Sequence, residues 1–278
     1  MSISEIGYWS EIKLDIIKEY AKAYSTILTK QSKLEHIYID AFAGAGYHIS
    51  KKSDQLVWGS PLNALLVTPP FYEYHFIDLD KGSAEVLEIQ AKSRNECPYN
   101  PERVHIYNAD CNKLLLDKIF PLIRYEDFKR ALCLLDPYGL HLDWKVIYTA
   151  GKMKSIEIFL NFPIADMNRN VLRRDENNVE KPQLERMNRY WGDESWKEAA
   201  YSAEENLFGL NEKTTNENVV NSFVDRLKKV AGFSYVPTPI PMRNTKGSII
   251  YYLIFASNKP VAAKIVTHIF NKYKDRNS

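Results

Sequence analysis

Hydrophobic and polar positions alternate in two rhythms along this chain. From Trp9 to Leu28, apolar residues at Ile12, Ile16, Ile17, Tyr20 and Tyr24 recur at helical spacing and predict a helix. A short apolar run, His36 to Ile39, then ends in an acid, Asp40, and reads as a buried strand. Ser60-Pro61 reads as the cap and first residue of a helix through Val67. Tyr74–Asp78 is a second strand ending in an acid, and Asp80 is placed to cap a helix from Ala84 to Arg94. Val104–Tyr107 is a third strand, closing on Asn108-Ala109-Asp110 before a helical Leu114–Ile123. Ala131–Leu135 is a fourth, wholly apolar strand that ends in Asp136-Pro137-Tyr138-Gly139, and Asp143 is expected to cap a helix through Ala150. Ile156–Leu160 is the fifth, ending in Asn161-Phe162-Pro163.

Five strand–helix alternations, each strand ending in a polar residue and a loop, predict an open parallel sheet with ligands at its carboxyl edge. From Met167 to about Leu210 the rhythm breaks into a charged, tryptophan-containing helical stretch. It carries Arg169, Arg173, Arg174, Lys181, Arg186 and Arg189. Residues 167–215 are read as a helical insertion within one domain spanning 1–278, serving target recognition or partner binding. Val219–Val230 resumes as an amphipathic helix. Tyr235–Pro239 and Ile249–Phe255 read as a strand pair turning at Lys246-Gly247, and Val261–Tyr273 as a closing helix. The expected fold is α/β: a Rossmann-like, mostly parallel seven-stranded sheet of the class I methyltransferase kind. Helices cover both faces, the insertion follows the fifth strand, and the last strand runs antiparallel.

Composition narrows the picture only modestly. With 45% hydrophobic and 26% charged residues, 278 residues can bury a sizeable core. A net charge of +2 permits nucleic-acid binding without indicating it. Cys97, Cys111 and Cys133 are odd in number and lack a C-x-x-C, which points to a reduced intracellular protein without a metal framework. The start of the chain has no basic segment followed by an apolar core, and no apolar run reaches membrane-spanning length, so a cytoplasmic location is expected.

Candidate chemistry begins at Asp40-Ala41-Phe42-Ala43-Gly44-Ala45-Gly46. Glycines one residue apart let the backbone pass close to a ligand. A dinucleotide fingerprint would need a third glycine where Ile49 stands, and no Walker A string occurs. Acid-x-x-x-Gly-x-Gly is instead the first motif of S-adenosylmethionine (SAM) methyltransferases; an ordinary strand–turn is the other reading. Asp40, Phe42, Gly44 and Gly46 would line the cofactor. Asp78 would accept from the ribose hydroxyls, as a carboxylate can from two donors at once, and Asp110 would accept from the adenine amine. Each also has a plain alternative: Asp78 can begin a turn toward Asp80, and Asp110 can cap the next helix. Three acids ending three successive strands favour the cofactor.

Asp136-Pro137-Tyr138-Gly139 resembles the [DNS]-P-P-[YFW] loop of amino-group methyltransferases with one proline missing. An acid and the next carbonyl accept from a target amine and aim its lone pair, while an aromatic ring stacks on a flat base. Methyl transfer is an in-line displacement, so positioning supplies much of the catalysis, and a base in duplex DNA would have to be flipped out. Asp136 thus faces both cofactor and substrate, with Tyr138 and Asn161 beside it; a proline turn whose tyrosine packs on the sheet edge is the alternative. His48 and His141 follow two of these motifs and can reach the same pocket. No histidine pair has metal-ligand spacing, so no metal is expected. Basic residues at 169–174 would be a solvated helix face or a phosphate-contacting arm.

Taken together, Asp40–Gly46, Gly59-Ser60-Pro61, Phe76–Asp80, Asp136–Gly139, Asn161-Phe162-Pro163, Met242-Arg243-Asn244 and Tyr251–Ala256 make most of the chain resemble the three-Cys-motif partner (TcmP) proteins. The resemblance implies a SAM methyltransferase fold and association with a separate protein that carries a three-cysteine motif. The leading expectation is therefore a SAM-dependent methyltransferase acting on nucleic acid, at a base amino group, with the insertion and Arg243 as recognition elements. The rival is a non-catalytic or partner-dependent module working with the three-cysteine protein.

Overall fold

Alternation at period two runs through the central strands of the computed structural model, which describes residues 5–93, 98–173, 179–205, 211–244 and 246–274. Its elements are β1 (Glu5–Ile6), α1 (Tyr8–Thr29), β2 (Glu35–Asp40), β3 (Tyr47–Ser50), β4 (Leu56–Trp58), α2 (Ser60–Leu65), β5 (Glu73–Asp78), α3 (Lys81–Lys92), β6 (Val104–Asn108) and α4 (Cys111–Leu114). They continue with β7 (Lys129–Leu135), α5 (Trp144–Met153), β8 (Ile156–Phe162), α6 (Ile164–Asn170), α7 (Lys181–Trp191), α8 (Trp196–Ala200), β9 (Tyr201–Glu205), β10 (Asn211–Lys213), α9 (Asn216–Arg226), β11 (Ile240–Arg243), β12 (Ile249–Ala256) and α10 (Pro260–Lys274).

The main sheet has seven strands in the order β11-β12-β8-β7-β2-β5-β6. Strands β6, β5, β2, β7 and β8 are parallel, and β12 runs antiparallel to β8 and to β11. This is the expected class I methyltransferase arrangement, with one antiparallel strand inserted near an edge. Side chains divide by parity: Ile37, Ile39, Ala131, Cys133, Leu135, Ile158 and Leu160 face one core. Tyr38, Leu132, Leu134, Phe159, Leu253 and Phe255 face the other. The first core is covered by α5, α7 and α9, and the second by α1, α2, α3 and α10. Helices on both faces explain why the central strands are apolar throughout.

Several boundaries differ from expectation. The polar stretch after the glycine turn is not a plain loop: β3 and β4 form a hairpin that joins β1 in a three-stranded sheet. The cap of α2 is Gly59, with Ser60 already helical. Asp143 stands at the N-cap of α5 but makes no side-chain cap bond; it pairs with Arg189 instead, at 3.4 Å. Asn161 lies within β8, which runs to Phe162. The first strand of the late pair is Ile240–Arg243, not Tyr235–Pro239. Pro237 and Pro239 cannot donate to a ladder, so pairing starts beyond them, and Pro241 is tolerated because β11 is an edge strand. The insertion is not wholly helical, since β9 and β10 pair antiparallel. Arg94, Cys97, Arg174 and Leu210 lie outside the described residues.

The insertion packs on the sheet rather than standing off it. Met187, Tyr190, Trp191 and Trp196 are all buried in the first core. Arg226 of α9 donates to the Trp191 carbonyl at 2.7 Å and pairs with Asp193 at 2.6 Å, tying α9 to the end of α7.

Candidate functional site

In an open α/β sheet, ligands bind outside the carboxyl ends at the point where strand order reverses. Here that point lies between β2 and β7, and the register sets Asp40 beside Leu134. Asp40 therefore ends one strand at the crevice and Asp136 follows the other. Asn161 extends the row, because Leu160 pairs with Leu135.

Sequence reasoning missed the group that joins these acids. Lys13 projects from α1 into the crevice, 8% exposed, and its ammonium forms a short ion pair with an Asp136 carboxylate oxygen. The ammonium also lies over the Tyr251 ring, 5.4 Å from its centroid. Burial works against the charge on Lys13, but the fields of Asp136, Tyr251 and Asp40 outweigh it and hold its pKa above the ordinary value. One signal was present in the sequence: Lys13 stands directly between Ile12 and Leu14 on the buried side of α1.

Asp40 is fully buried, and burial pushes its pKa up to about 7, with the Ser60 hydroxyl and the Phe42 N–H as partial compensation. One of its carboxylate oxygens, Oδ2, is buried without a hydrogen-bond partner, and so is the Asn161 amide oxygen. Unmet buried acceptors are uncommon, and these two stand along the same carboxyl edge of the sheet. His48 reaches the cluster as expected: burial, then the Lys13 charge, lowers its pKa, and Asp136 partly opposes this.

Asp78 organises the glycine turn. Its Oδ2 accepts from the Gly44 N–H at 2.7 Å and its Oδ1 from the Asp80 N–H at 2.8 Å. The turn toward Asp80 is thus present, and it leaves acceptor capacity on both oxygens. Gly44 has φ +60, and a Cβ there would meet nothing within 4 Å, so the turn presents bare backbone to open space. The Gly46 carbonyl accepts from the Gly59 N–H at 2.8 Å, pinning the turn to the start of α2. Phe42 is half-buried against the core. Asp110 is exposed and caps α4 through Oδ1, which accepts from Asn112 and Lys113 at 2.7 and 3.2 Å.

On the substrate side, Tyr138 is 88% exposed and does not pack on the sheet edge. Its ring lies face-on to His141, with centroids 6.4 Å apart and planes 24° apart. Gly139, at φ +58, passes so close to α6 that a Cβ would sit 2.9 Å from Asp166 Oδ2. Asp166 pairs in turn with Arg186 of α7 at 3.6 Å, and Arg189 of the same helix pairs with Asp143, just beyond Gly139. Lys213 likewise spends its ammonium internally, on Asn168 and the Leu172 carbonyl, both at 2.7 Å. Arg243 is exposed at the far edge and donates to the Gly247 carbonyl at 2.8 Å.

Among the described residues, no group of three or more His, Cys, Asp or Glu could hold a metal, and no helix is long and apolar enough to cross a membrane. Cys111 and Cys133 are buried free thiols.

No protein-family model matches the chain, and no curated protein matches it significantly. Among solved structures it is similar to protein LPL1258 of Legionella pneumophila str. Philadelphia 1, with a TM-score of 0.54 and 11% identity over 95% of this chain and 94% of that one. Looser likenesses are to the methyltransferase domain of bacterial CtHen1-CN (TM-score 0.41, 12% identity, 87% and 99% covered) and to a SAM-dependent methyltransferase from Leishmania major (0.41, 10%, 87% and 72%). At these identities the likeness bears on fold alone, and only the first is close enough to mark a shared fold.

Proposed function

We propose that this chain is a SAM-dependent methyltransferase acting on nucleic acid at a base amino group. The observation that carries the reading is the row of acceptors at the strand-order reversal: Asp40, Asp136 and Asn161 side by side, with an exposed ring, Tyr138, next to them. The partnerless Asp40 oxygen and the open space at Gly44 fit a bound nucleoside-bearing cofactor. When bound, SAM supplies a methyl group on a sulfonium centre, activated for displacement. Asp78 would hold the ribose hydroxyls with its remaining acceptor capacity, the Gly44–Gly46 turn and Phe42 would line the cofactor, and Asp110 would accept from the adenine amine. Lys13 fixes one oxygen of Asp136 and leaves the other to accept from a target N–H. Tyr138 would stack on the base and Asn161 would receive its second N–H.

The TcmP resemblance adds a three-cysteine protein as partner. A partner-dependent or non-catalytic module is the second reading, favoured by one observation: the Asp136 carboxylate is already engaged by Lys13.

Calorimetric titration with SAM and S-adenosylhomocysteine tests the cofactor. Dissociation constants of about 1–100 μM are expected, with at least about a tenfold loss, roughly 1.4 kcal/mol, in Asp78→Ala. Asp136→Ala should leave SAM affinity within about threefold yet reduce transfer to DNA or RNA oligonucleotides by about a hundredfold or more. Absence of binding, with and without the three-cysteine protein, would sink the reading; unchanged transfer by Asp136→Ala would leave the binding module standing.

A further inference from the structure

A groove of about 900 Å³ opens at the amino edge of the sheet, opposite the acceptor row, and shares no residue with it. It runs between the C-terminal half of α1 and the first turns of α10, below the segments that enter β2, β7 and β8. The volume falls within the range of roughly 300–1,000 Å³ that holds small organic ligands. Its walls are apolar and aromatic: Tyr24, Ile27 and Leu28 on one side, Val261 and Ile265 on the other, and Phe128 at the mouth. Phe128 is 51% exposed and sits at φ +57, a conformation that costs a bulky residue roughly 1–3 kcal/mol and recurs at ligand clamps.

The polar groups of the groove are divided by depth. At the floor, Glu157 accepts from the Tyr20 hydroxyl on one oxygen and from the Ser257 hydroxyl, at 3.0 Å, on the other. Burial pushes its pKa up to about 7, so much of its charge is suppressed near neutrality. The buried Tyr24 hydroxyl beside it has no hydrogen-bond partner. Around the mouth stand four basic side chains, Lys33, Arg130, Lys154 and Lys259, against one acid, Glu126. None of the four cations is in an ion pair among the described residues. Arg130 lies over the Tyr125 ring, its Cζ 3.6 Å from the centroid, and donates to the carbonyls of Tyr125 and Lys129 at 3.0 and 2.7 Å. Lys259 donates to the Tyr125 hydroxyl at 3.0 Å, so both cations are held in place beside one ring.

We propose that this groove binds an organic anion with an apolar body, the hydrocarbon or aromatic part lying between α1 and α10 and the carboxylate, sulfonate or phosphate ester meeting Arg130 and Lys259. An apolar cleft with a few fixed polar groups at one end is what orients such a molecule, and an oriented guanidinium recognises a planar or tetrahedral oxyanion through paired N–H donors. The assignment does not depend on the methyltransferase reading.

Calorimetric titration of the full chain with decanoate and with decyltrimethylammonium, the same chain length with opposite charge, is the test. Saturable one-to-one binding of decanoate is expected, at least about tenfold tighter than the cation. The double variant Arg130→Gln/Lys259→Gln should reduce that preference to about threefold or less, and Ile27→Glu, at a position 37% exposed and therefore tolerant of the change, should weaken decanoate at least about tenfold. Equal binding of the two probes, no saturable binding of either, or decanoate binding untouched by Ile27→Glu would each overturn the proposal. So would preference for hexaglutamate over decanoate, which would give the groove to a protein partner.

Discussion

Lys13 and Asp136 stand 123 residues apart and meet in a partly buried crevice. Truncating one member of such a pair leaves the other charge without compensation, at a cost of about 3–5 kcal/mol when burial is complete. Asp136 is 25% exposed, so about 2 kcal/mol is the better expectation for Lys13→Met. A double-mutant cycle with Asp136→Asn measures the coupling directly, and additive losses would show that the pair contributes nothing of its own. Asp40 and Glu157 make a second prediction, about pH. Both are raised to about 7 by burial, above the roughly 4 of an unfolded carboxyl, so the folded chain keeps these protons longer. Their stabilising contribution is full below about pH 4 and is lost as pH rises through about 7. Thermal midpoints should therefore fall between about pH 5 and pH 8, and Glu157→Gln should flatten that fall; parallel curves would refute the assignment. At this scale the acids were legible, because each ends a strand. The partner of Asp136 was not, since nothing local links an apolar helix near the N-terminus to the end of the fourth parallel strand.

Helix α7 forms two ion pairs near the Asp136–Gly139 loop, Arg186 with Asp166 beside Gly139 and Arg189 with Asp143 just beyond it. A Cβ at Gly139 would have to displace Asp166 and hold a left-handed φ, so Gly139→Ala should cost about 1–3 kcal/mol. Under the proposed methyltransferase function, the loop and not the glycine turn would move, so transfer should drop by about tenfold or more while SAM affinity holds. A parallel loss of both would place the fault elsewhere. The Arg189 pair, with the arginine side chain 60% exposed, is a weaker bolt, and Arg189→Ala should shift stability by no more than about 1 kcal/mol. Parallel strands and their helices were readable here from apolar runs closed by acids. The β3–β4 hairpin was not: its strands are four and three residues long and are separated by the polar Lys51–Asp54 turn, which reads as loop. The insertion reads as a charged helical stretch because Met187, Tyr190, Trp191 and Trp196 are scattered among many ions, and only packing shows that they belong to the core.

Across the whole molecule, two cores lie on opposite faces of one sheet, and the face that carries Lys13 is closed by α10. Val266, Ile269, Phe270 and Tyr273 of that helix are all buried. At about 1.5–3 kcal/mol each, their burial rivals the roughly 5–15 kcal/mol by which a domain is stable. A chain ending at residue 259 should accordingly lose its cooperative thermal transition; a sharp transition within a few degrees of the full chain would contradict this account of the core. The parallel sheet and its late antiparallel strand were legible because the strand pattern is regular over the whole length. The amino-edge groove was not, since its lining comes from segments that no single periodic run connects.

The first helix of the chain finds its neighbours at the end: Tyr251 reaches back 242 residues to the Trp9 carbonyl, and Lys272 pairs with Glu19 at 2.7 Å. Synthesis proceeds from the N-terminus, so α1 leaves the ribosome long before β12 and α10 exist to cover it. Throughout elongation its apolar stripe has nothing to pack on from that side, and Lys13 has no Tyr251 ring above it. The crevice around Lys13 thus gains its Tyr251 wall only after β12 has been made.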